Sequence, residues 1–357
     1  MASAPSPPDL RHLGFDALNG WRDDDQAAAL AAFREGAAVL AEHPPKRRAA
    51  AVDTDRLTAL LRASRDVPAG EARSFFEANF RPVEVLPSGS GFFTGYYEPV
   101  LAGSRHATAK FTVPLLRAPD DLVEIDPDRP PAGIPEGFRF ARQTAAGLQP
   151  YFDRGEIERG ALAGRGLELV WLADRIDAFF VHIQGAAQIR LAEGGTMRVT
   201  YAAKTGHPYT SVGKVLVERG ILTLAEADMT GIRSWLAANR YKADAILWQN
   251  RSYIFFREAP VPDAALGPIA AAKVPLHAGR SLAVDRLLHS FHLPVWIETE
   301  IPGGGTFRRL MIAHDTGSAI VGPARADIFF GSGDEAGAIA GRMRGRGRFV
   351  LLVPDQG

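Results

Sequence analysis

Frequent turn residues between short β-prone segments constrain the fold of this chain more than any other feature. The 357 residues include 36 glycines and 25 prolines, and both residue types interrupt helices. Residues 295–301 alternate in polarity, the Pro-Gly-Gly-Gly segment at 302–305 predicts a turn, and 307–313 predicts a returning strand. This pattern favours β-rich barrels or sandwiches over a helical bundle, and the length is sufficient for two lobes.

Charge and composition argue against several classes of protein. The 41 basic residues balance 41 acidic ones, so the chain lacks the broad positive field with which general nucleic-acid binders attract phosphate. No cysteine is present, which excludes disulfides and thiolate metal sites. Residues 1–8 show no basic segment followed by an apolar one, and no apolar run approaches the length of a membrane span. We therefore expect no nucleic-acid partner and no membrane-spanning segment.

Local signals predict helices near the N-terminus and strands in the middle and at the C-terminus. Asp24 or Asp25 can cap a first helix. Ser211, and Thr223 with Glu226, are predicted to begin two short helices later in the chain. Two further predicted helices contain 57–61 and 72–80, the predicted strands include 92–100, 178–184, 188–191, 198–201 and 349–353, and 258–268 is predicted to cross between lobes.

Two polar clusters are interpreted as structural. His289 and His292 lie three residues apart, a spacing compatible with a metal site, but no third ligand is clustered with them in the sequence. The run from Gly341 to Arg348 concentrates arginines before the last predicted strand. We interpret the histidines as surface or packing residues and the arginines as a solvated hairpin tip; attraction of an anionic polymer is the alternative for the arginines.

Three aspartates near the C-terminus are the strongest candidates for chemistry. Asp285, Asp315 and Asp327 each begin or follow a β-prone segment, and Asp327 precedes an apolar Ile-Phe-Phe sequence. Burial beside such residues, with a second carboxylate nearby, disfavours ionisation. Such an acid can stay protonated near neutral pH and donate a proton to a leaving oxygen. Three aspartates that cap turns would give the same spacing.

An aspartic protease is a second interpretation, because Asp315 begins an Asp-Thr-Gly-Ser sequence and such enzymes share one proton between two aspartates. A bilobal protease needs a second Asp-Thr-Gly or Asp-Ser-Gly, and the sequence contains none. A homodimeric protease with a single copy would be much shorter than this chain.

Six separated blocks follow one another from about Phe92 to the C-terminus. They are Thr94-Gly95-Tyr96-Tyr97-Glu98-Pro99, Ile183-Gln184-Gly185, the segment from Tyr201 to Tyr209, Ser211-Val212-Gly213-Lys214, the segment from Ser252 to Arg257, and the C-terminal segment with the three aspartates. In this order the blocks resemble the membrane-bound lytic transglycosylase A family. Six blocks in sequence are far more specific than any single motif.

The resemblance implies a mainly β fold with some helices. A double-psi β-barrel domain, residues 1–103 with 256–357 and including the N-terminal helices, would carry an inserted β-barrel-like domain, residues 104–255, with a deep groove between them. The resemblance also implies a periplasmic enzyme without metal or organic cofactor, whose partners are peptidoglycan glycan strands and, as further candidates, cell-wall synthesis proteins. The family is usually anchored to the outer membrane through an N-terminal cysteine, so an anchor and its leader would lie outside this sequence.

The resemblance also implies the reaction and the roles of residues. Asp327 would cleave the bond between N-acetylmuramic acid and N-acetylglucosamine without water, leaving a 1,6-anhydro ring, with Asp315 and Asp285 as supporting residues. The implied substrate-binding residues are Thr94, Gly95, Tyr96, Tyr97, Glu98, Gln184, Lys204 and Tyr209. The tyrosine rings can stack on sugars, and the polar side chains can form hydrogen bonds with them. The segment 286–292, which follows Asp285, lacks the proline-glycine turn that is common in the family. The resemblance therefore does not assign a role to the barrel strand at Asp285. A non-catalytic glycan-binding barrel, similar to expansins, is a third interpretation.

Overall fold

A computed structural model of the chain describes residues 9–50, 52–86, 90–127, 129–260, 263, 265–301 and 305–355. Residues 1–8 and most of the turn predicted at 302–305 lie outside the described residues. The chain divides into two compact units, which we call the barrel unit (Ala2–Tyr97 with Asp263–Gly357) and the central unit (Glu98–Pro262). The domain boundaries predicted from the sequence, at 103/104 and 255/256, stay a prediction.

The described residues contain more strand than helix. The helices are α1 (Gln26–Val39), α2 (Thr54–Ala63), α3 (Ala72–Asn79), α4 (Arg154–Glu156), α5 (Arg175–Gln184), α6 (Val212–Glu218), α7 (Met229–Ala238), α8 (Arg240–Leu247) and α9 (Asp334–Arg342). The strands are β1 (Asp9–His12), β2 (Phe80–Leu86), β3 (Gly91–Glu98), β4 (Val100–Ser104), β5 (Val113–Leu116), β6 (Leu122–Glu124), β7 (Phe140–Thr144), β8 (Gly147–Gln149), β9 (Glu168–Leu172), β10 (Ala186–Leu191), β11 (Thr196–Lys204), β12 (Ile254–Ala259), β13 (Ser281–Val284), β14 (Pro294–Glu300), β15 (Thr306–Asp315), β16 (Arg325–Ser332) and β17 (Arg344–Pro354). The predicted mainly β fold is confirmed.

The barrel unit is built on one sheet that closes on itself. Its strand order is β1-β2-β17-β14-β15-β13-β16-β3, and β17 also pairs with β3. The strands β17, β14, β15, β13, β16 and β3 therefore form a closed ring, in which β13 and β15 are parallel. Closure removes unpaired sheet edges, so the interior is filled by side chains. Trp296, Phe349 and Leu310, which are fully buried, belong to this core.

The N-terminal helices cover the barrel core. Asp25 caps α1 by accepting a hydrogen bond from the backbone N–H of Ala28 at 3.0 Å, as one of the two predicted caps. Leu30 and Phe33 of α1 are fully buried in the same core cluster as the barrel strands. An amphipathic face packed on the sheet stabilises a helix of this length far more than its intrinsic propensity does.

The central unit has its own sheets and its own cores. Its main sheet has the order β12-β11-β10-β4-β9-β5, and an isolated bridge between Arg117 and Phe256 joins the segment after β5 to β12. This bridge connects the two edges of the sheet, as a barrel-like domain requires. A smaller sheet has the order β6-β7-β8. The buried clusters around Val170, Leu216 and Phe255 contain only residues of this unit.

The prediction of a strand at 178–184 is wrong, because these residues form the last seven of the ten residues of helix α5. Asp174 caps the helix through the backbone N–H of Ile176, and Gly185 ends it in the left-handed conformation with φ of 80°. The strands predicted at 188–191 and 198–201 lie within β10 and β11, which pair antiparallel. The cap predicted at Ser211 is confirmed, whereas Thr223 and Glu226 form reciprocal hydrogen bonds in a turn and the next helix begins after Asp228.

The interpretation of 341–348 as a hairpin tip is also wrong. Arg342 ends α9, and Arg344 begins the long strand β17. The arginines at 344 and 346 therefore lie in a paired strand, opposite β3. Arginine and glycine alternate from 344 to 348, so the arginine side chains lie on one face of the sheet.

His289 and His292 are both buried in the barrel unit. Nε2 of His289 lies 2.8 Å from the carbonyl oxygen of Pro323, and the ring of His292 lies 5.6 Å from that of His314. The predicted packing role fits these contacts.

Among the described residues, no helix is both long enough and apolar enough to cross a bilayer.

Candidate active site

Asp327 lies in a chain of hydrogen bonds that joins two neighbouring strands of the barrel. Its Oδ1 accepts a hydrogen bond from the Thr94 hydroxyl at 2.5 Å. The same hydroxyl oxygen accepts a hydrogen bond from Nη2 of Arg325 at 2.7 Å. Because the arginine can only donate, the proton of the threonine hydroxyl is directed towards Asp327.

Asp315 has a separate set of partners at the end of β15. Its Oδ2 accepts a hydrogen bond from the Tyr96 hydroxyl at 3.1 Å, and its Oδ1 accepts one from the backbone N–H of Ala271 at 3.1 Å. The Tyr96 ring packs on Phe329 with centroids 5.3 Å apart. Tyr96 and Thr94 are two residues apart on β3, so both side chains lie on the same face of that strand.

Burial changes the ionisation of this group of side chains. It raises the pKa of Asp327 above its ordinary value, against the opposing effects of Arg325 and the Thr94 hydrogen bond. Burial likewise raises the pKa of Asp315, and negative charge on Asp327 raises it further. The pKa of Tyr96 is raised by burial and by both carboxylates. The charge on Asp327 therefore disfavours ionisation of Asp315.

The strand register explains why these residues meet. Asp327 on β16 lies opposite Ala283 on β13, and β3 is the other neighbour of β16. Arg325 and Asp327 are two residues apart and share a face. Gly95 allows this close packing, because a Cβ atom there would lie 2.6 Å from the Phe330 ring and 2.8 Å from Cα of Ala340.

Asp285 holds two loops together at the end of β13. Its Oδ1 accepts a hydrogen bond from the backbone N–H of Leu287 and its Oδ2 accepts one from that of Gly322, both at 2.9 Å. Both carboxylate oxygens are therefore occupied by backbone groups. Since Gly322 lies three residues before Arg325, this contact positions the start of β16, which fits a supporting role.

Two of the predicted substrate-binding residues are too buried to contact a sugar. Tyr97 is 8% exposed and packs against Gly337. Glu98 is 1% exposed, and its carboxylate accepts hydrogen bonds from Arg198 at 2.7 and 3.0 Å and from Gln188 at 2.9 Å. The structure does not support Tyr97 as a sugar-stacking residue or Glu98 as a substrate-binding residue, because packing occupies the first and a buried ion pair the second.

Three other predicted binding residues, Gln184, Lys204 and Tyr209, lie in the central unit and keep surface exposed. Gln184 is the last residue of α5, and Lys204 is the last residue of β11. Tyr209, in the following loop, is 38% exposed. Burial and the nearby Arg139 lower the pKa of Lys204. Each of these side chains carries a group that can donate a hydrogen bond to a sugar hydroxyl or acetamido oxygen.

Sequence reasoning missed two donors of the barrel site. Arg325 is not among the predicted site residues, although its spacing of two from Asp327 in a strand signals a shared face. The backbone N–H of Ala271, which binds Asp315, carries no signal in the sequence.

Within the described ranges, no three histidine, aspartate or glutamate side chains are grouped as a metal site would require.

A closed barrel that presents two interacting carboxyl groups with raised pKa values defines a site for acid/base chemistry in a mainly β protein. Residues 92–257 match the family model of the MltA specific insert domain, and residues 280–353 match that of the 3D domain. The chain belongs to the membrane-bound lytic murein transglycosylase A family, as the sequence blocks predicted.

Solved structures and curated relatives agree with this assignment. A membrane-bound lytic murein transglycosylase from Agrobacterium tumefaciens is 43% identical, with a TM-score of 0.90 over 97% of this chain and 98% of that chain. MltA from Escherichia coli, solved with bound chitohexaose, is 25% identical, with a TM-score of 0.68 over 98% and 95% of the two chains. Membrane-bound lytic murein transglycosylase A from Vibrio cholerae is 31% identical over 272 residues, which span 74% of this chain and 66% of that relative.

Proposed function

We propose that this protein is a lytic transglycosylase that cleaves the β-1,4 bond between N-acetylmuramic acid and N-acetylglucosamine in peptidoglycan. The observation that carries the proposal is the Asp327 carboxyl group, held by Thr94 at 2.5 Å in surroundings that raise its pKa. Membership of the family and the glycan bound by the Escherichia coli relative give further support.

In the proposed reaction a single carboxyl group acts first as an acid and then as a base. Protonated Asp327 gives its proton to the glycosidic oxygen as the bond to C1 of the muramyl residue breaks, through an oxocarbenium-like state. The carboxylate then removes the proton of the muramyl C6 hydroxyl, whose oxygen bonds to C1. The 1,6-anhydro ring closes without water, because the internal nucleophile is already in position.

The other residues position this acid and the glycan. Thr94 orients the Asp327 carboxyl group, and Asp315 with Tyr96 forms the adjoining part of the site. Negative charge on Asp327 raises the pKa of Asp315, so simultaneous ionisation of the two carboxyl groups is disfavoured. Tyr96, Gln184, Lys204 and Tyr209 are the side chains that we propose to contact the sugars. Such a substrate places the protein in the periplasm, where the cell wall lies.

Digestion of purified sacculi, followed by mass spectrometry of the soluble products, tests the reaction. We expect muropeptides with 1,6-anhydromuramyl ends, which are lighter by one water than reducing ends. Reducing ends would show that water is the nucleophile and would refute the mechanism. Cleavage of an unfolded protein at acid pH, blocked by a statine-type inhibitor, would instead support the aspartic protease.

Substitution of the acid tests its identity. Asp327→Asn should lower the rate of anhydromuropeptide release by at least about a thousandfold, because amides cannot donate and recover the proton. Asp315→Asn should lower it by only about ten- to a hundredfold, as expected of a group that tunes the acid. The matched control is Asp263→Asn, an exposed aspartate. If Asp327→Asn keeps full activity and an unchanged circular dichroism spectrum, Asp327 is excluded as the catalytic acid.

A further inference from the structure

The arginine run from Arg342 to Arg348 lies beside the candidate acid. Strand β17 pairs antiparallel with β3, so that Arg344 lies opposite Thr94 and Arg346 lies opposite Phe92. Cross-strand partners project to the same face of a sheet. Since the Thr94 hydroxyl contacts Asp327, the side chains of Arg344 and Arg346 start from the same face as the candidate site.

Phe92 brings two of the guanidinium groups together. The Arg325 guanidinium carbon lies 5.1 Å from the centre of the Phe92 ring, and that of Arg346 lies 5.9 Å from it. Both distances are within the range of cation–π contacts. The aromatic ring thus spaces two positive charges beside the acid, and Arg344 adds a third on the strand next to Thr94.

Arg346 differs from Arg348, which lies on the same strand. Arg348 forms ion pairs with Glu84 and Glu298, each at 2.9 Å, so its charge is neutralised within the protein. Arg344 and Arg346 are exposed, and among the residues that the structure describes, Arg346 forms no ion pair. An exposed cation beside a site that must bind a polymer is available to a negatively charged group of that polymer.

We propose that Arg344 and Arg346, next to Arg325, bind carboxylate groups attached to the lactyl side chains of the glycan. This inference rests on the proposed function and specifies the substrate class: an anionic, muramyl-containing glycan is preferred over a neutral N-acetylglucosamine polymer. Guanidinium groups bind carboxylates through paired, charge-assisted hydrogen bonds. The carboxylate has two sources, the stem peptide or, where the peptide is absent, the free lactyl group.

Direct binding measurements test this preference independently of turnover. Isothermal titration calorimetry would measure the affinity of three probes for the Asp327→Asn variant, which cannot cleave them. The probes are soluble glycan strands with stem peptides, the same strands after amidase removal of the peptides, and neutral chitohexaose. The double variant Arg344→Gln/Arg346→Gln should bind the anionic strands about three- to thirtyfold more weakly, as expected for two partly exposed ion pairs. The ratio of anionic to neutral affinity should fall by the same factor.

The arms of the experiment distinguish the sources of the carboxylate. Weakening restricted to peptide-bearing strands assigns the stem peptide, and weakening of both strand types assigns the lactyl end of the side chain as well. Arg308→Gln, an exposed arginine of β15, is the matched control and should leave the ratio unchanged. An unchanged ratio in the double variant would overturn the inference. Failure of the proposed function would appear separately, as the absence of anhydro ends when the unmodified protein digests sacculi.

Discussion

At the scale of single residues, Thr94 determines how the candidate acid is presented. A hydroxyl group has one proton, and Arg325 occupies an acceptor position on the oxygen at 2.7 Å, so the proton is left for Asp327. Arg325 also lowers the pKa of Asp327, in opposition to burial. One guanidinium group therefore both orients the threonine and limits how far the pKa of the acid rises.

Arg325→Gln tests this double effect through the pH dependence of the reaction. The proposed mechanism needs protonated Asp327, so activity is lost as pH rises through the pKa of the folded enzyme. Removal of the positive charge raises this pKa, and the alkaline limb of the rate should move to higher pH, while kcat falls by about tenfold because the threonine loses its donor. Rates of anhydromuropeptide release measured across pH would show this. Arg308→Gln is the control, and a limb that stays in place or moves to lower pH would contradict the assignment.

The sequence predicted the candidate catalytic aspartates of the site, but it predicted only part of the contacts that their neighbouring side chains form. Asp315 and Asp327 were identified from the sequence because each lies beside β-prone segments and within the family pattern. The sequence could not show that Glu98 turns onto Arg198, since that contact joins residues 100 positions apart. Long-range ion pairs of this kind depend on strand register, which single motifs do not encode.

At the scale of elements, helix α5 shows where sequence patterns mislead. Val181 and Ala178 belong to one buried cluster, and Ile176, Phe179 and Phe180 belong to another. A helix covered on several sides has an almost continuous apolar sequence, which a short buried strand shares. The capping signals at Asp174 and Gly185 distinguish the two, and they identify the helix correctly.

The packing of α1 on the barrel strands predicts an acid-sensitive fold. His292 packs beneath Gly36 of α1 and beside His314 of β15. Among the described residues, Nδ1 of His292 and Nε2 of His314 have no hydrogen-bond partner. Burial lowers the pKa of His292 from 6.5 to about 4 and places that of His314 well below its ordinary value. The stability that neutral His292 contributes is fully present above pH 6.5 and is lost as pH falls towards about 4.

Chemical denaturation at several pH values would measure this effect. The free energy of unfolding should fall with pH below 6.5, with His292 contributing on the order of 3 kcal/mol of the change by pH 4. His292→Asn should flatten this dependence, and asparagine tolerates the left-handed backbone found there, with φ of 66°. His12→Asn, at an exposed histidine, should leave the slope unchanged. An equal slope in His292→Asn would show that this histidine does not titrate with unfolding.

At the scale of the whole molecule, the buried clusters divide in the same way as the two compact units. The largest cluster contains only residues of the barrel unit, and the clusters around Val170, Leu216, Phe255 and Ala141 contain only residues of the central unit. Cooperative unfolding follows shared cores, so two units with separate cores are expected to unfold as two cooperative units. The order of the strands supports this, because each sheet is confined to one unit apart from Glu98 at the end of β3.

Calorimetry of Glu98→Gln tests whether the units unfold separately. The substitution leaves Arg198 buried at 3% side-chain exposure without its full countercharge, which should destabilise the central unit by about 3 kcal/mol or more. One of two thermal transitions should therefore move down by about 6–12 °C, while the transition of the barrel unit stays in place. Glu258→Gln breaks an exposed pair with Arg105 in the same unit and should move neither transition by more than about 2 °C. A single transition that moves as a whole in Glu98→Gln would show instead that the two cores unfold together, and the stability of the acid site would then depend on an ion pair in the other unit.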